Sequence, residues 1–570
     1  MPADTGSRRC PARCPGELER ESGRALAGRG GAVPGQYDAA VSAMPVSLHA
    51  ELVSLDPATL EEVGRVPLTE PGALPGIVAE ARVAQQLWAR QPFEARSRVL
   101  RRVAHLLLED GDAVGRTIVA ETGKPLVEAY SSELFVCLDA LAWLVANLGK
   151  VLGRERLPMR QAYLPHKRAW LSYEPMGVIG VISAWNFPLG VPLTQASAAV
   201  AAGNAVVLKP SELTPLTGRL IEELFDRAGA PAGLVRVVQG TGETVGEGLV
   251  RQPGIDKLVF TGSSEAGRVV AGHAADRLCP ITLELGGKDP MLVLDDADLD
   301  RAIDGALWGA FANCGQVCSG IERIYVARTL YEPFVTGLGA RARSLRIGRG
   351  DEPGTDLGPL VTERQRARVE AFVADAVEHG AEIVTGGARP AIGLPGWFHE
   401  PTVLAGEPSS ARLSHEEVFG PVVTVVSIDD EEDGIRLAND SRYGLGASVW
   451  TCDRDRARRV ARRIEAGSVW VNDHAYSYGT CRAPWGGRKH SGYGRTHSKH
   501  GLYDISHVKY TDADSGRLTP PWWYPYSDMV VDGFRGALGA LYGDGVAARA
   551  SAVRRHRSGL LELGRRTMRR

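Results

Sequence analysis

Four short β-branched runs recur in the middle of this chain, ending near Lys209 (AVVLK), Val238 (LVRVV), Thr261 (KLVFT) and Leu285 (ITLEL), at separations of 29, 23 and 24 residues. Each gap holds a helical pattern such as LTGRLIEELFDRAG, with apolar residues three and four apart. Strands separated by helices at this spacing predict βαβ units and hence a parallel, doubly wound sheet, an α/β fold. Ligands of such sheets sit beyond the carboxyl ends of the strands, where Lys209, Glu212, Gly262, Ser263 and Glu284 all fall. The G-x-G-x-x-G fingerprint is absent. Instead Gly262 and Gly267 flank a helix start in FTGSSEAG, where unpaired N–H groups and the helix dipole can face a pyrophosphate.

At 570 residues the chain exceeds what one core usually serves, so two or more domains are expected. From about residue 75 to 150 the spacing predicts a helical layer, with the ETGKP turn at 121 to 125 reading as an ordinary Gly-punctuated helix end. From 290 to 480 a second α/β region is expected, with strands at RIYVAR, PVVTVVSI, GASVWT and SVWVND. The first 43 residues are rich in Gly, Ala, Pro and Arg and lack an apolar h-region; they read as disordered, with Met44 as a candidate start. Cys10 and Cys14 have a spacing seen in metal sites, but no second ligand pair follows, and no metal is expected.

Two motifs carry the chemistry. NCGQVCSG, residues 313 to 320, sets Cys318 in a small-residue turn that a carbonyl compound can reach, and TLELGGKDP puts Glu284 at the end of an apolar strand before two glycines. A thiol and a carboxylate so presented suggest covalent catalysis. Together with WNFP at 185 to 188, KPSE at 209 to 212, FTGSSEAG at 260 to 267 and EEVFGP at 416 to 421, the set resembles the aldehyde dehydrogenase superfamily over roughly residues 50 to 512. No motif of a Ser, metal or papain-like hydrolase is apparent.

The resemblance implies a Rossmann-type cofactor domain at 44 to 284, with an oligomerisation hairpin near 162 to 182. It further implies a catalytic domain at 285 to 482, a return to the oligomerisation strand at 483 to 512, and an extension at 513 to 570 that departs from the family. It makes Cys318 the nucleophile, Glu284 the base that activates water on the thioester, and Asn186 an oxyanion donor with the Cys318 N–H. On the cofactor side it implies Trp185, Lys209, Glu212, Gly262, Ser263, Leu285, Glu417 and Phe419. Glu212 would accept from the adenosine ribose and repel a 2′-phosphate, favouring NAD while leaving NADP possible. Without the resemblance, Asn186 reads as a turn residue, Glu416 and Glu417 as a solvated acidic pair, and Cys314 as a small buried hydrophobe.

A small-molecule aldehyde is thus the expected partner, with a homodimer or homotetramer joined across sheet edges. Tyr476 and Tyr478 in HAYSYGTC lean toward an apolar or aromatic aldehyde; a semialdehyde needs a cation, for which Arg323 and Arg482 are candidates. A family member that binds without turnover is a third reading, opposed by the intact Cys318, Glu284 and Asn186. Lys+Arg 66 against Asp+Glu 68 leaves no basic excess for nucleic acid, and eight scattered cysteines read as reduced thiols of a cytoplasmic protein. The tail opens with PPWWYPY and carries eight arginines from Arg549 onward. A basic tail of this type can make peripheral contact with an anionic membrane, or pack PPWWYPY on the enzyme and leave its arginines solvated.

Overall fold

A computed structural model describes residues 51–568 apart from 160, 162, 163, 165, 407 and 408. The expected disorder of residues 1–43, the candidate start at Met44 and the Cys10/Cys14 pair lie outside the described residues.

The βαβ repeat builds a six-stranded sheet in the order Gly492–Tyr493, Ile281–Glu284, Lys257–Thr261, Val178–Ile182, Ala205–Lys209, Val235–Val237. All neighbours are parallel except Gly492–Tyr493, which runs antiparallel to Ile281–Glu284. Val178–Ile182 departs from expectation: it lies in the middle of this sheet and not in the hairpin near 162 to 182. The reason is legible in VIGVI, which is apolar on both faces and fully buried, as a central parallel strand requires. The hairpin partner is Lys167–Pro175, which pairs antiparallel with Ser506–Asp514 and Glu155–Leu157 in a separate three-stranded sheet.

A second sheet of seven strands runs in the order Glu382–Thr385, Thr402–Ala405, Val422–Ile428, Ile321–Ala327, Asp289–Val293, Gly446–Trp450, Ser468–Val471. It includes the four expected runs and adds three strands, Asp289–Val293 near its centre and Glu382–Thr385 and Thr402–Ala405 at one edge. One core gathers buried residues from Leu74 to Leu285 with Leu502 and Ile505, and another gathers Met291 to Trp450.

The helical layer packs on the first sheet. Its run Leu126–Val151 is long and apolar enough to cross a membrane by length and composition. Its Cys137, Leu141, Leu144 and Leu148 are nevertheless buried in the first core, which accounts for the apolarity. The ETGKP turn does end a helix: Gly123 closes Gly111–Thr122 in the left-handed region at φ 73°. It also delivers Lys124 into the interior. The Lys124 ammonium is fully buried against Glu133 at 2.7 Å and donates to the Asn186 carbonyl at 2.8 Å. Glu133 in turn accepts the N–H groups of Leu189 and Gly190 at 2.9 and 2.8 Å. This pair fastens the helical layer to the segment that follows the central strand. Removing one partner strands the other charge, so Lys124→Met should lower unfolding stability by about 3–5 kcal/mol in urea titration. A loss below about 1 kcal/mol would show the pair to be incidental.

Candidate active site

The chain runs outward from Val178–Ile182 through the strands at 205 and 235, then returns to its other side at Lys257–Thr261. The carboxyl ends of those two adjacent strands therefore form a switch-point crevice. Trp185 and Asn186 follow one strand, and Gly262 and Ser263 follow the other. A cleft of about 870 Å³ opens there, lined by Trp185, Asn186, Gly262, Ser263, Glu284, Leu285, Cys318, Glu417 and Phe419 among others. Nine of the eleven expected residues thus share one cavity. The other two, Lys209 and Glu212, stand at the end of the neighbouring strand, paired to each other at 3.0 Å, outside that lining.

Cys318 sits on a loop with unusual backbone. Asn313, Cys314 and Gly315 all have positive φ, at 51°, 55° and 68°. A side chain on Gly315 would lie 2.1 Å from the Gly420 carbonyl, so the two loops touch there through backbone alone. Side chains compensate the strained turn. The Asn313 N–H donates to both oxygens of Glu128 at 3.0 and 3.1 Å. The Gln316 side chain bridges the Asn313 carbonyl and the Val361 N–H. Asn186 donates through Nδ2 to the Gln316 carbonyl at 3.0 Å, which fixes its amide while leaving its second N–H free for other partners. Cys314 is buried in the second core, in keeping with a small hydrophobe.

Cys318 is partly exposed on its cleft side. Burial by the cleft walls pushes its thiol well up, and the carboxylates Glu417, Asp289 and Glu284 add to this. A group that accepts the thiol proton is therefore needed before it can attack.

Glu284 is 6% exposed, and neither carboxyl oxygen has a hydrogen-bond partner among the described residues. Burial pushes its pKa up to about 8; the Arg495 charge pulls the other way, Asp504 raises it further, and the Thr496 hydroxyl, near but short of hydrogen-bond geometry, lowers it least. A carboxyl poised near neutrality at the floor of a cleft is suited to proton transfer.

The cofactor-side candidates have matching supports. Glu417 accepts the Gly287 N–H at 3.0 Å, and a side chain on Gly286 would lie 2.2 Å from it. Burial raises Glu417 to about 8 as well, with Glu322 contributing. Its loop is held by Glu322, which accepts the N–H groups of Val418 and Phe419 at 3.0 Å and is itself paired to buried Lys288 at 2.6 Å. Phe419 meets Trp185 edge-on, ring centres 5.4 Å apart. Ser263 caps the helix Ser264–Asp276 by accepting from the Ala266 N–H. A side chain on Gly267 would strike Leu285 at 2.6 Å, so that glycine lets the helix lie close on the strand end. The free first-turn N–H groups, the unpartnered Glu284 and the cleft between them fit a dinucleotide phosphate and its reactive ring.

The sequence reading missed the supporting residues: Glu128, whose carboxyl burial raises to about 7, together with Lys124, Glu133, Gln316, Lys288 and Glu322. Of these, Lys124, Gln316 and Lys288 lie in the motif strings ETGKP, NCGQVCSG and TLELGGKDP, and no string marked the others. Two expected residues need correction. Arg323 is buried on the strand Ile321–Ala327, where it donates to the carbonyls of Lys288, Leu437 and Ala438, and it stands outside the cleft lining. Arg482 is exposed and stands outside the cleft lining. Tyr478 does line the cleft, packed on Trp485 with ring centres 5.0 Å apart, while the side chain of Tyr476 lies outside the described residues.

Comparison with known proteins agrees with this geometry. The family model described as "Aldehyde dehydrogenase family" matches residues 46–511. A betaine aldehyde dehydrogenase of Rhizobium leguminosarum bv. trifolii is 38% identical over 470 residues, covering 82% of this chain and 95% of that protein. A 3-sulfolactaldehyde dehydrogenase of Pseudomonas putida is 37% identical over 455 residues, covering 80% and 92%. Among solved structures, a Mycobacterium tuberculosis aldehyde dehydrogenase complexed with NAD+ superposes with a TM-score of 0.79 at 36% identity, covering 83% of this chain and 96% of that one. An NADP dependent enzyme of E. coli gives 0.78 at 37% identity, covering 81% and 95%. The chain belongs to the aldehyde dehydrogenase family and is an NAD(P)-dependent oxidoreductase acting on aldehydes.

Proposed function

We propose that this enzyme oxidises an apolar or aromatic aldehyde to the free carboxylic acid, with Cys318 as nucleophile and Glu284 as general base. The observation that carries this reading is the unpartnered Glu284 carboxyl, raised to about 8, in the same cleft as the Cys318 thiol. Cys318 passes its proton to solvent water in the cleft and attacks the aldehyde carbon, forming a thiohemiacetal. The oxyanion takes hydrogen bonds from the free N–H of the Asn186 amide and from the Cys318 backbone N–H. Bound NAD(P) supplies the acceptor for the hydride that leaves this carbon. A thioester on Cys318 results. Glu284 then removes a proton from water as it attacks the thioester, releasing acid and thiol. With a pKa of about 8, roughly a tenth of Glu284 is ionised at neutrality, which keeps it both available and basic. The same shift carries a sign for stability. The folded value exceeds the unfolded one, so the protonated form favours folding, and that contribution is lost as pH rises from about 4.5 toward 8.

Substrate class follows from the walls. Phe135, Val136, Phe187, Trp308, Tyr478 and Trp485 make one side of the cleft apolar and aromatic. Three arginines also line the cleft, Arg364, Arg368 and Arg442; Arg368 donates to the Glu417 carbonyl at 2.7 Å and Arg442 to the Tyr443 hydroxyl at 3.1 Å. The assembly is proposed to be a homodimer or homotetramer joined at the exposed edge strand Ser506–Asp514. A cytoplasmic setting is proposed from the six described cysteines, all free thiols.

The reading predicts reduction of NAD with hexanal or benzaldehyde in preference to succinate semialdehyde, and no turnover by Cys318→Ala despite retained NAD binding. Glu284→Gln should release about one equivalent of NADH per site in a burst, then slow by roughly 10²- to 10⁴-fold, because the base enters only with water. A parent-like steady rate in either variant contradicts the assignment. A missing burst in Glu284→Gln would instead move that carboxylate to the thiol step.

We propose NAD as the preferred cofactor, through repulsion of a 2′-phosphate by Glu212. Its pairing with Lys209 tempers this repulsion, so Glu212→Ser should narrow the NAD over NADP preference by about 1–3 kcal/mol in kcat/KM. Parent enzyme that favours NADP would refute it.

A further inference from the structure

After the strand Ser506–Asp514 the chain continues into three further helices. Helices Asp528–Tyr542, Gly545–Arg555 and Arg557–Met568 pack chiefly on one another. Small residues let them lie close: side chains added at Gly533, Gly536 and Gly539 would strike Gly559, His556 and Ala552 within 2.4–2.6 Å. The PPWWYPY segment leads into these helices. It is tied to the last helix, where Arg566 donates to the carbonyls of Trp523 and Pro525 and the Thr519 N–H donates to the Thr567 carbonyl. Its rings face outward, with Trp523 60% and Tyr524 81% exposed.

The helices add an aliphatic surface. Val531, Leu538 and Tyr542 recur on one exposed face of the first helix, and Val546, Leu561 and Met568 are exposed on the others. Residues 517–570 hold ten arginines against the four acids Asp528, Asp532, Asp544 and Glu562, a formal charge of +6; the whole chain carries −2, so residues 1–516 carry −8. Arg554, Arg555, Arg557 and Arg565 are all exposed.

From this we propose that the carboxy-terminal helical element docks the enzyme on an anionic lipid bilayer, inserting its exposed aromatic and aliphatic side chains at the headgroup level while its arginines pair with lipid phosphates and carboxylates. Three observations select this occupant. Tryptophan, tyrosine and aliphatic groups beside arginines match the interfacial layer of a membrane. A second copy of the same surface would bring +6 against +6. A nucleic acid would use the charge and leave the aliphatic groups in water. The acidic remainder of the chain is repelled by the same bilayer, which orients the molecule tail-down.

The test is cosedimentation of full-length enzyme with vesicles of phosphatidylcholine alone and of phosphatidylcholine with phosphatidylserine. Full-length protein should bind the phosphatidylserine vesicles, bind phosphatidylcholine at least tenfold less, and come off as salt is raised, as surface charge attraction requires. Protein ending at Gly516 should lose binding and keep its turnover of soluble aldehydes. Because truncation can disturb assembly, two double substitutions at exposed positions repeat the test in the whole chain. Trp522→Ser with Trp523→Ser, and Arg554→Ser with Arg555→Ser, should each weaken binding by roughly tenfold or more. Equal binding to both vesicles, undiminished binding by the truncated protein, or capture by RNA or an acidic protein without vesicle binding would overturn the proposal. So would truncation that changes only the sedimentation mass.

Discussion

A carboxyl group buried without a hydrogen-bond partner is among the more costly features a fold can carry, and Glu284 is such a group. Proteins resolve it by keeping the group neutral, which is what a pKa near 8 means at ordinary pH. The surrounding structure is arranged to keep it so. The strand Ile281–Glu284 ends against Gly492, and the Glu284 carbonyl is taken up by the Gly262 N–H, so the backbone is satisfied while the side chain is left alone. Among the described residues no lysine or arginine pairs with it: Arg495, whose charge acts on it, gives its Nη1 to the carbonyls of Gly487 and Gly494.

The other half of the cleft shows the complementary device. Cys318 sits past three residues in left-handed backbone, a strained turn that persists because its polar groups are over-determined. Glu128, Gln316, Asn313 and Asn186 lock it from four sides, and Asn186 is itself pinned through the buried Lys124–Glu133 pair. A second buried pair, Lys288–Glu322, holds the loop that carries Glu417 and Phe419. Buried ion pairs contribute little net stability as a rule; their use here is to fix loops in register around a cavity.

Much of this was legible in the residues. The spacing of AVVLK, KLVFT and ITLEL announced a parallel sheet and put Glu284, Gly262 and Ser263 at its productive edge. VIGVI fell inside the span 162 to 182 that the resemblance gave to a hairpin, although its unbroken apolar run fits the buried central strand that it forms. Arg323 was a candidate only because sequence shows charge and not direction; in the fold its guanidinium is used up on backbone carbonyls. The supporting carboxylates were illegible for a related reason. Glu128 and Glu322 act on backbone N–H groups 185 and 96 residues away, and no local pattern records such a contact.

The central claim is that burial without a partner tunes Glu284 to work as a base near neutrality. Its most direct test is infrared titration of the carboxyl stretch in the cofactor-free enzyme, taken as the difference between parent protein and Glu284→Gln so that Glu417 and Asp289 cancel. The account predicts a single carboxyl titrating with a midpoint near 8. A midpoint in the ordinary glutamate range, about 4.3, would mean that Glu284 is solvated or paired in the working enzyme, and the account would be wrong.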